Sequence, residues 1–217
     1  VGSEMCIRDS VNIYRASKGA RNFEYFGEDP WLTSEMAMAF TGAVADGGVL
    51  PVVKHFAGND QEYDRYNVST EVAEDALREI YTLPFERLVT EGGVKAIMSG
   101  YNLLNGQHCS ENQYLDSLLH KVWGFEGIHM SDWGATHSTL AAARAGLDLE
   151  MGSNSYFIAD SIKPLLEQGL LTEADIDRKV VNIYTPCFEV GFFDRPQKVD
   201  SLTLYSPLRN RRALDAA

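Results

Sequence analysis

Short apolar runs alternate with longer amphipathic stretches along most of the chain, and this alternation predicts β-strands separated by α-helices. Residues that cap helices stand before most of the amphipathic stretches, and glycine follows most of them. The predicted strands are residues 11–14, 49–53, 94–98, 127–134 and 147–151. The predicted helices are residues 30–46, 71–91, 111–122, 138–145 and 156–168, with a sixth that begins after Thr172.

Local signals mark where several of these helices start or bend. A side-chain acceptor before a helix satisfies its first N–H groups, whereas proline inside a helix removes a hydrogen bond and bends it. We therefore predict that Thr70 caps the second helix and that Pro84 kinks it. The other start signals are Asp29-Pro30, the capping box Ser110-x-x-Gln113 and the pair Thr172-x-x-Asp175.

The order of strands and helices indicates a parallel sheet, because parallel strands need a crossover connection such as a helix. About five strand–helix units can be recognised, whereas a closed (β/α)8 barrel of the TIM type has eight. The predicted fold is therefore α/β, a partial barrel of this type with its opening units missing. An open barrel leaves an edge strand and uncovered apolar surface, so we expect the chain to self-associate.

Composition narrows the class of protein. The chain has 217 residues, and its formal net charge of −12 argues against nucleic acid or an anionic membrane as a partner. No apolar run is long enough to span a membrane. The spacing of the three cysteines and five histidines predicts no disulfide framework, no metal site and no cofactor. Residues 1–10 lack an apolar core and a helical period, and they are predicted to be a foreign or unstructured lead.

Polar and aromatic residues stand at the carboxyl end of one predicted strand after another. In a (β/α) barrel these ends converge on one face, where ligands bind. The sequence therefore predicts a shared site at that face. The residues at the strand ends are Lys54 and His55, Ser99 and Tyr101, Asp132 and Trp133, and Glu150.

Asp132 is the central candidate for chemistry. A carboxylate can meet the positive charge that develops on a sugar ring, and the indole of Trp133 can stack on its C–H faces. We therefore interpret Asp132 as a glycosidase nucleophile. The alternative is that Asp132 only caps the helix that follows it.

Lys54 and His55 form the second candidate group. One interpretation is that they hydrogen-bond sugar hydroxyls, and another is that Lys54 forms the Schiff base of a barrel lyase. Arg21 and Arg65 can donate paired hydrogen bonds to hydroxyls or belong to surface ion pairs. Tyr101 can donate to the nucleophile or serve as a buried structural residue. A carbohydrate-binding fragment without catalysis is a further alternative.

Seven segments, in the same order, resemble the barrel domain of glycoside hydrolase family 3, of the β-glucosidase/β-xylosidase type. The resemblance covers residues 11–196. The segments are residues 12–15, 19–30 and 54–62, then Met98-Ser99-Gly100-Tyr101-Asn102, Trp123-Gly124-Phe125-Glu126-Gly127, Ser131-Asp132-Trp133-Gly134 and residues 145–151.

The resemblance implies a retaining, exo-acting β-glycosidase whose nucleophile is Asp132. It further implies that the substrate is an oligosaccharide or β-glycoside, and it favours a periplasmic or extracellular location. Nearby cations are expected to lower the pKa of Asp132. The residues implied to bind or line the sugar site are Arg21, Lys54, His55, Arg65, Met98, Tyr101 and Trp133.

Comparison with the family's pattern also implies missing parts. In the β-glucosidase type the acid/base glutamate lies in an α/β domain that follows the barrel, and we expect residues 197–217 to be a linker toward that domain. Glu28, Glu62 and Glu150 are the carboxylates within the chain that could replace it, but we do not expect them to do so. Without general acid assistance, which typically contributes about 10²–10⁴-fold, the isolated chain is expected to be nearly inactive.

Overall fold

A computed structural model describes residues 10–152 and 154–194, together with the single positions Pro207 and Arg211. Five parallel strands form the main sheet in the order β2-β1-β3-β5-β8, and three short strands form a second sheet in the order β4-β6-β7. The strands are β1 Ser10–Ile13, β2 Tyr25–Gly27, β3 Val53–Phe56, β4 Ser69–Thr70, β5 Ala96–Ser99, β6 Leu103–Leu104, β7 Gln107–His108 and β8 Ile128–Met130.

Helices follow most strands of the main sheet, as the alternating pattern predicts. They are α1 Pro30–Asp46, α2 Glu74–Ala76, α3 Leu83–Thr90, α4 Gln113–Asp116, α5 Thr139–Arg144, α6 Ala159–Glu167 and α7 Glu173–Glu189. Leu77–Tyr81 and Ser117–Val122 are π-helical, and Asn22–Glu24 and Cys109–Glu111 are 3-10 turns. The α/β class and the partial parallel barrel are confirmed.

Two predicted helix starts are confirmed in atomic detail. The Asp29 carboxylate accepts the Leu32 N–H at 2.7 Å, and Pro30 occupies the first turn of α1. The Thr172 hydroxyl and the Asp175 carboxylate form the reciprocal capping box of α7. α7 continues past Pro186 to Glu189, so this proline does not end the helix.

Two other predicted helix starts are wrong. Thr70 does not cap the second helix, because it lies in β4 and its hydroxyl donates to the Gly58 carbonyl at 2.7 Å. Ser110 does not cap the third helix, because its hydroxyl donates to the Ala135 carbonyl, and Asn112 caps α4 instead. In both places the tertiary partner lies far along the chain, which a local pattern does not reveal.

Other element boundaries differ from the prediction in smaller ways. Pro84 does not kink a continuous helix but stands in the first turn of α3, after a π-helical segment. The strand predicted at 49–53 begins only at Val53 and continues into the polar residues after it. The strand predicted at 147–151 forms a single bridge, between Leu149 and Met130. Its main chain still runs beside β8, because the Ser131 N–H donates to the Leu149 carbonyl at 3.0 Å.

The predicted lead and linker fall mostly outside the described residues. Ser10, which we assigned to the lead, is the first residue of β1, where it is buried and donates to the Glu24 carboxylate at 2.9 Å. The lead boundary therefore shifts by at least this residue. Positions 1–9 and nearly all of 197–217 lie outside the described part of the chain.

The main sheet carries different apolar clusters on its two faces. One cluster joins strand residues such as Val53 and Ile97 to helical residues such as Phe85 and Leu115. The other contains Ala96, Met98, Ile128 and Met130, with Ile183 and Cys187 of α7 packed against it. Lys95, just before β5, pairs with Glu189 near the end of α7 at 3.8 Å. α7 thus packs close to the amino-terminal ends of β5 and β8, opposite the strand ends that carry the predicted site.

The outer face of α7 leaves large apolar side chains in contact with water. Val181 is 59 % exposed and Phe188 is 61 % exposed, and Val180 and Tyr184 lie beside them in the helix. Exposed apolar residues at helical spacing form a continuous patch, and such patches promote association.

We therefore expect concentration-dependent self-association, measured by sedimentation velocity. Because a charge in the patch opposes its burial, the double variant V181E/F188E is expected to shift the protein toward monomer. Q107E/Q113E, which adds the same two charges at exposed positions of β7 and α4, is the control. Equal association of all three proteins would show that this patch is not responsible.

A buried polar network lies between β8 and α7. The Lys179 ammonium donates to the Leu147 carbonyl at 2.6 Å and to the Ala143 carbonyl at 3.1 Å. The Asp148 carboxylate accepts the His129 N–H at 3.0 Å, and the His129 ring lies 2.7 Å from the Ser99 hydroxyl. Burial lowers the pKa of Lys179 to about 8 and that of His129 to about 3. His129 is therefore neutral at physiological pH.

Neutral His129 is expected to make folding sensitive to acid. Between pH about 6.5 and about 3 the unfolded chain binds a proton that the folded chain does not, so the free energy of unfolding falls as pH falls through this window. The expected loss attributable to His129 is about 3 kcal/mol between pH 7 and pH 4. The measurement is urea unfolding at several pH values for the wild type and H129Q.

The comparison with H129Q separates the effect of His129 from that of buried carboxyl groups, which change the free energy of unfolding with pH in the opposite direction. Burial raises the pKa of Asp60 to about 6 and also raises the pKa of Asp148, which favours the folded state as pH falls. These contributions are common to both proteins. Identical pH slopes for wild type and H129Q would contradict the expectation.

Candidate functional site

A pocket of about 200 Å³ lies at the carboxyl ends of β3, β5 and β8. The parallel register pairs Lys54 of β3 with Met98 of β5, and Met98 with Met130 of β8. The residues that follow these three positions therefore lie together at one edge of the sheet. Cis peptide bonds join Lys54 to His55 and Phe56 to Ala57. The eight predicted site residues line this pocket together: Arg21, Lys54, His55, Arg65, Met98, Tyr101, Asp132 and Trp133.

Asp132 follows β8 and is 5 % exposed. Its Oδ1 accepts the Trp133 N–H at 2.7 Å, and its Oδ2 lies 3.4 Å from Nε2 of His55. The Tyr101 hydroxyl faces the same carboxylate and stabilises its charged form. One carboxylate oxygen is therefore fixed by the main chain, while the other is directed among the pocket side chains.

The pKa of Asp132 departs from the sequence-based expectation. Burial raises the pKa of this carboxyl, and the Trp133 N–H, the Tyr101 hydroxyl and the cations Arg21 and Lys54 offset only part of that rise. The predicted lowering is therefore wrong in direction. The cations were correctly expected to favour the charged form, but the cost of removing the carboxylate from water is larger.

His55 is neutral and held rigidly. Burial, together with Arg21, Lys54 and Arg65, lowers the pKa of His55 well below its ordinary value. Its approach to Asp132 is thus a contact between a neutral ring and a carboxylate. Asn12 of β1 accepts the His55 N–H at 2.9 Å and donates to the His55 carbonyl at 3.0 Å. This clamp fixes the main chain of β3 where it enters the pocket.

Arg65 and Tyr101 form a stacked pair at one wall of the pocket. The Arg65 guanidinium lies 4.0 Å from the Tyr101 ring centre and 5.3 Å from the ring centre of Tyr66. The Tyr66 and Tyr101 rings meet edge to face at 4.9 Å. Stacking on an aromatic face holds the plane of a guanidinium and leaves its N–H groups directed outward.

Arg21 also lines the pocket, and two acidic side chains contact it. Its Nε contacts the carboxylate of buried Glu24, and its Nη1 lies 3.7 Å from Oε1 of Glu62. The same Glu62 carboxylate binds Nη1 of Arg65 at 2.5 Å through Oε2. One acidic side chain therefore connects both arginines of the pocket.

The remaining wall combines buried and open apolar surface. Met98 is 2 % exposed and lies deep in the pocket, whereas Trp133 is 48 % exposed. An indole that is half open beside a buried carboxylate offers a stacking surface to a ligand entering from solvent. Lys54, which is 8 % exposed, supplies positive charge to the interior of the site.

Glu150 stabilises a loop and does not face the pocket as an acid or base would. Its carboxylate accepts the N–H groups of Ser155, Tyr156 and Phe157 at 2.7–3.1 Å. These three bonds fix the carboxylate against the main chain of residues 155–157. Among the described residues, no group of three or more His, Cys, Asp and Glu side chains is arranged to hold a metal ion. Within the same part of the chain, no helix is both long and apolar enough to traverse a bilayer.

Two residues that contact the pocket side chains were absent from the predicted site, Asn12 and Glu24, and Glu62 was considered only as a carboxylate in place of the acid/base. Asn12 is the one polar residue in the apolar run 11–14, and a buried polar residue in a strand is a usable signal for such a role. The two glutamates lie in charged loops, where sequence alone does not distinguish a solvated carboxylate from a partner of a pocket arginine.

Comparison with known sequences finds relatives along most of the chain. The profile described as "Glycosyl hydrolase family 3 N terminal domain" matches residues 9–185. β-Glucosidase B of Emericella nidulans is 38 % identical over 197 residues, which are 90 % of this chain and 23 % of that protein. A β-glucosidase of Rhizobium radiobacter is 47 % identical over 151 residues, which are 69 % of this chain and 18 % of that protein.

Solved structures agree with the sequence comparison. β-Glucosidase 3B of Thermotoga neapolitana, in complex with glycerol, superposes with a TM-score of 0.78 at 41 % identity over 82 % of this chain and 26 % of its own. The Bifidobacterium adolescentis β-glucosidase superposes with a TM-score of 0.82 at 37 % identity over 88 % of this chain and 28 % of its own. The chain spans between 18 % and 28 % of the length of these relatives. It belongs to glycosyl hydrolase family 3, through the family's N-terminal domain.

Proposed function

We propose that this chain carries the sugar-binding pocket and the nucleophile of a retaining, exo-acting β-glucosidase. The observation that carries the proposal is the position of Asp132, a buried carboxylate among three cations and two aromatic side chains of one small pocket. The names of the relatives, all β-glucosidases, support a β-glucoside as substrate.

In the proposed reaction, Oδ2 of Asp132 attacks the anomeric carbon of the sugar. The new bond from carboxylate oxygen to carbon forms as the bond to the leaving oxygen breaks, and the leaving oxygen takes a proton from a general acid. Water then attacks the same carbon and gives its proton to the conjugate base of that general acid, while the bond from the carbon to Oδ2 breaks and releases the Asp132 carboxylate. Oδ1 keeps its bond to the Trp133 N–H, which orients Oδ2 for the attack.

The other pocket residues are assigned to sugar binding. Arg21, Lys54 and Arg65 donate to hydroxyl groups, and their positive charges favour the ionised form of Asp132 that attack requires. Neutral His55 donates or accepts without adding charge. Trp133 stacks on the ring near the mouth. The small volume of the pocket suits one terminal sugar unit, which supports exo action.

The general acid is proposed to lie outside the described residues. The Glu62 carboxylate is engaged by Arg65, and the Glu150 carboxylate accepts three main-chain N–H groups, so neither is directed at a leaving group in the pocket. The chain by itself is then expected to cleave glucosides only when the leaving group departs without protonation.

This proposal is tested with dinitrophenyl 2-deoxy-2-fluoro-β-D-glucoside, whose leaving group needs no acid. The expected result is a burst of about one equivalent of dinitrophenolate, followed by a stable adduct. Glucose binding without a burst would leave a carbohydrate-binding fragment. Borohydride trapping of a carbonyl substrate on Lys54 would favour a Schiff-base lyase and contradict the glycosidase.

A further inference from the structure

We propose that Glu62 is a positioning residue of the sugar site, whose carboxylate spans Arg21 and Arg65 and sets the placement of both guanidinium groups. The inference rests on the proposed function, because it deepens the account of the same pocket. It assigns to Glu62 a role other than the acid–base role for which its residue type made it a candidate.

The contacts come from two separate loops. Oε2 of Glu62 binds Nη1 of Arg65 at 2.5 Å within the loop after β3. Oε1 faces Nη1 of Arg21, in the segment between β1 and β2, at 3.7 Å. The Glu62 carboxylate therefore links the two loops and limits how far apart the guanidinium groups of Arg21 and Arg65 can lie.

Charge makes this bridge important. Arg21, Lys54 and Arg65 place three positive charges around one small pocket, and like charges repel each other. The side chains of Glu62 and Arg65 are each 27 % exposed, and that of Arg21 is 20 % exposed, so water screens the repulsion only partly. A carboxylate between two of the cations offsets the repulsion at short range.

Aromatic packing supplies only part of the restraint on Arg65. Tyr101 and Tyr66 hold the plane of its guanidinium, but a stacked guanidinium can still rotate within that plane. The bond from Glu62 fixes this remaining rotation. Arg21 is bonded directly to buried Glu24, and Oε1 of Glu62 adds an ionic contact at 3.7 Å, longer than a hydrogen bond.

The test compares E62Q and E62D with a matched control in the same loop. Asp64 is exposed and accepts from Asn67 at 2.7 Å, so D64N removes the same charge without touching either arginine. Each protein is titrated with D-glucose, and its inactivation by the dinitrophenyl fluoroglucoside is followed as a function of concentration. Thermal unfolding of each variant is recorded alongside.

For E62Q we expect the glucose Kd and the half-saturating inactivator concentration to rise about ten-fold or more, with a limiting rate within about two-fold of wild type. E62D is expected to recover part of the affinity, and D64N to match wild type. Folded E62Q with wild-type affinity, or an equal loss in D64N, would overturn the inference. If E62Q does not fold, E62D decides the matter: its carboxylate is too short to reach both arginines, so wild-type affinity in E62D would also overturn the inference. Wild-type protein that neither binds glucose nor is inactivated instead contradicts the proposed function.

Discussion

Asp132→Asn is expected to lower the rate of glucoside cleavage by about 10⁴-fold or more, with little change in glucose affinity. Asparagine keeps the shape of the side chain and can still accept the Trp133 N–H, which Oδ1 of Asp132 accepts at 2.7 Å. It does not form a glycosyl ester, so the covalent step is lost while the binding groups remain. The measurement is the burst with the dinitrophenyl fluoroglucoside, together with glucose titration.

The same variant is expected to be more stable than wild type near neutral pH. Because burial raises the pKa of Asp132, the folded state binds the proton more tightly than the unfolded state, and wild-type stability falls as pH rises through that window. Asparagine carries no charge and lacks this slope. The gain is expected as a higher Tm of D132N than of wild type near neutral pH, with a smaller difference as the pH falls. A normal burst in D132N would contradict the assignment of the nucleophile.

Phe85→Ala is expected to destabilise the fold by about 3–5 kcal/mol and to lower the Tm by about 10 °C. Phe85 of α3 is completely buried, and its ring centre lies 4.9 Å from that of Phe56 in β3. Phe56 in turn packs on Trp123 at 5.7 Å. The cavity would therefore open directly behind the strand that carries His55, and calorimetry measures the shift.

Phe23→Ala is the matched control for this truncation. It removes the same side chain from a position that is 71 % exposed, so its Tm is expected to stay within a few degrees of wild type. Equal shifts for the two variants would mean that the ring cluster of Phe56, Phe85 and Trp123 is not the core that holds α3 against the sheet.

The strand ends were the most informative part of the sequence. Parallel strands bring their carboxyl ends to one edge, so a polar residue after each apolar run was enough to predict that Lys54, Tyr101 and Asp132 share a pocket. Helix caps formed by neighbours in sequence, as at Asp29, were also predictable, because both partners lie within one turn.

Features that depend on distant partners could not be predicted in the same way. The local sequence predicts Ser110 as a helix cap, but its hydroxyl donates to the carbonyl of Ala135, 25 residues further along the chain. The pKa of Asp132 depends on how deeply the pocket is buried, which residue types alone do not give. The bridge from Glu62 to Arg21 joins two loops whose approach is set by the packing of the whole sheet.

The site of covalent attachment tests the central claim most directly. Protein inactivated by the dinitrophenyl fluoroglucoside is digested, and the labelled peptide is sequenced by tandem mass spectrometry. The account predicts one fluoroglucosyl group, carried by Asp132 in the peptide that contains Ser131-Asp132-Trp133. A label on another residue, or none in protein that binds glucose, would contradict the claim that the strand ends deliver Asp132 to the sugar as its nucleophile.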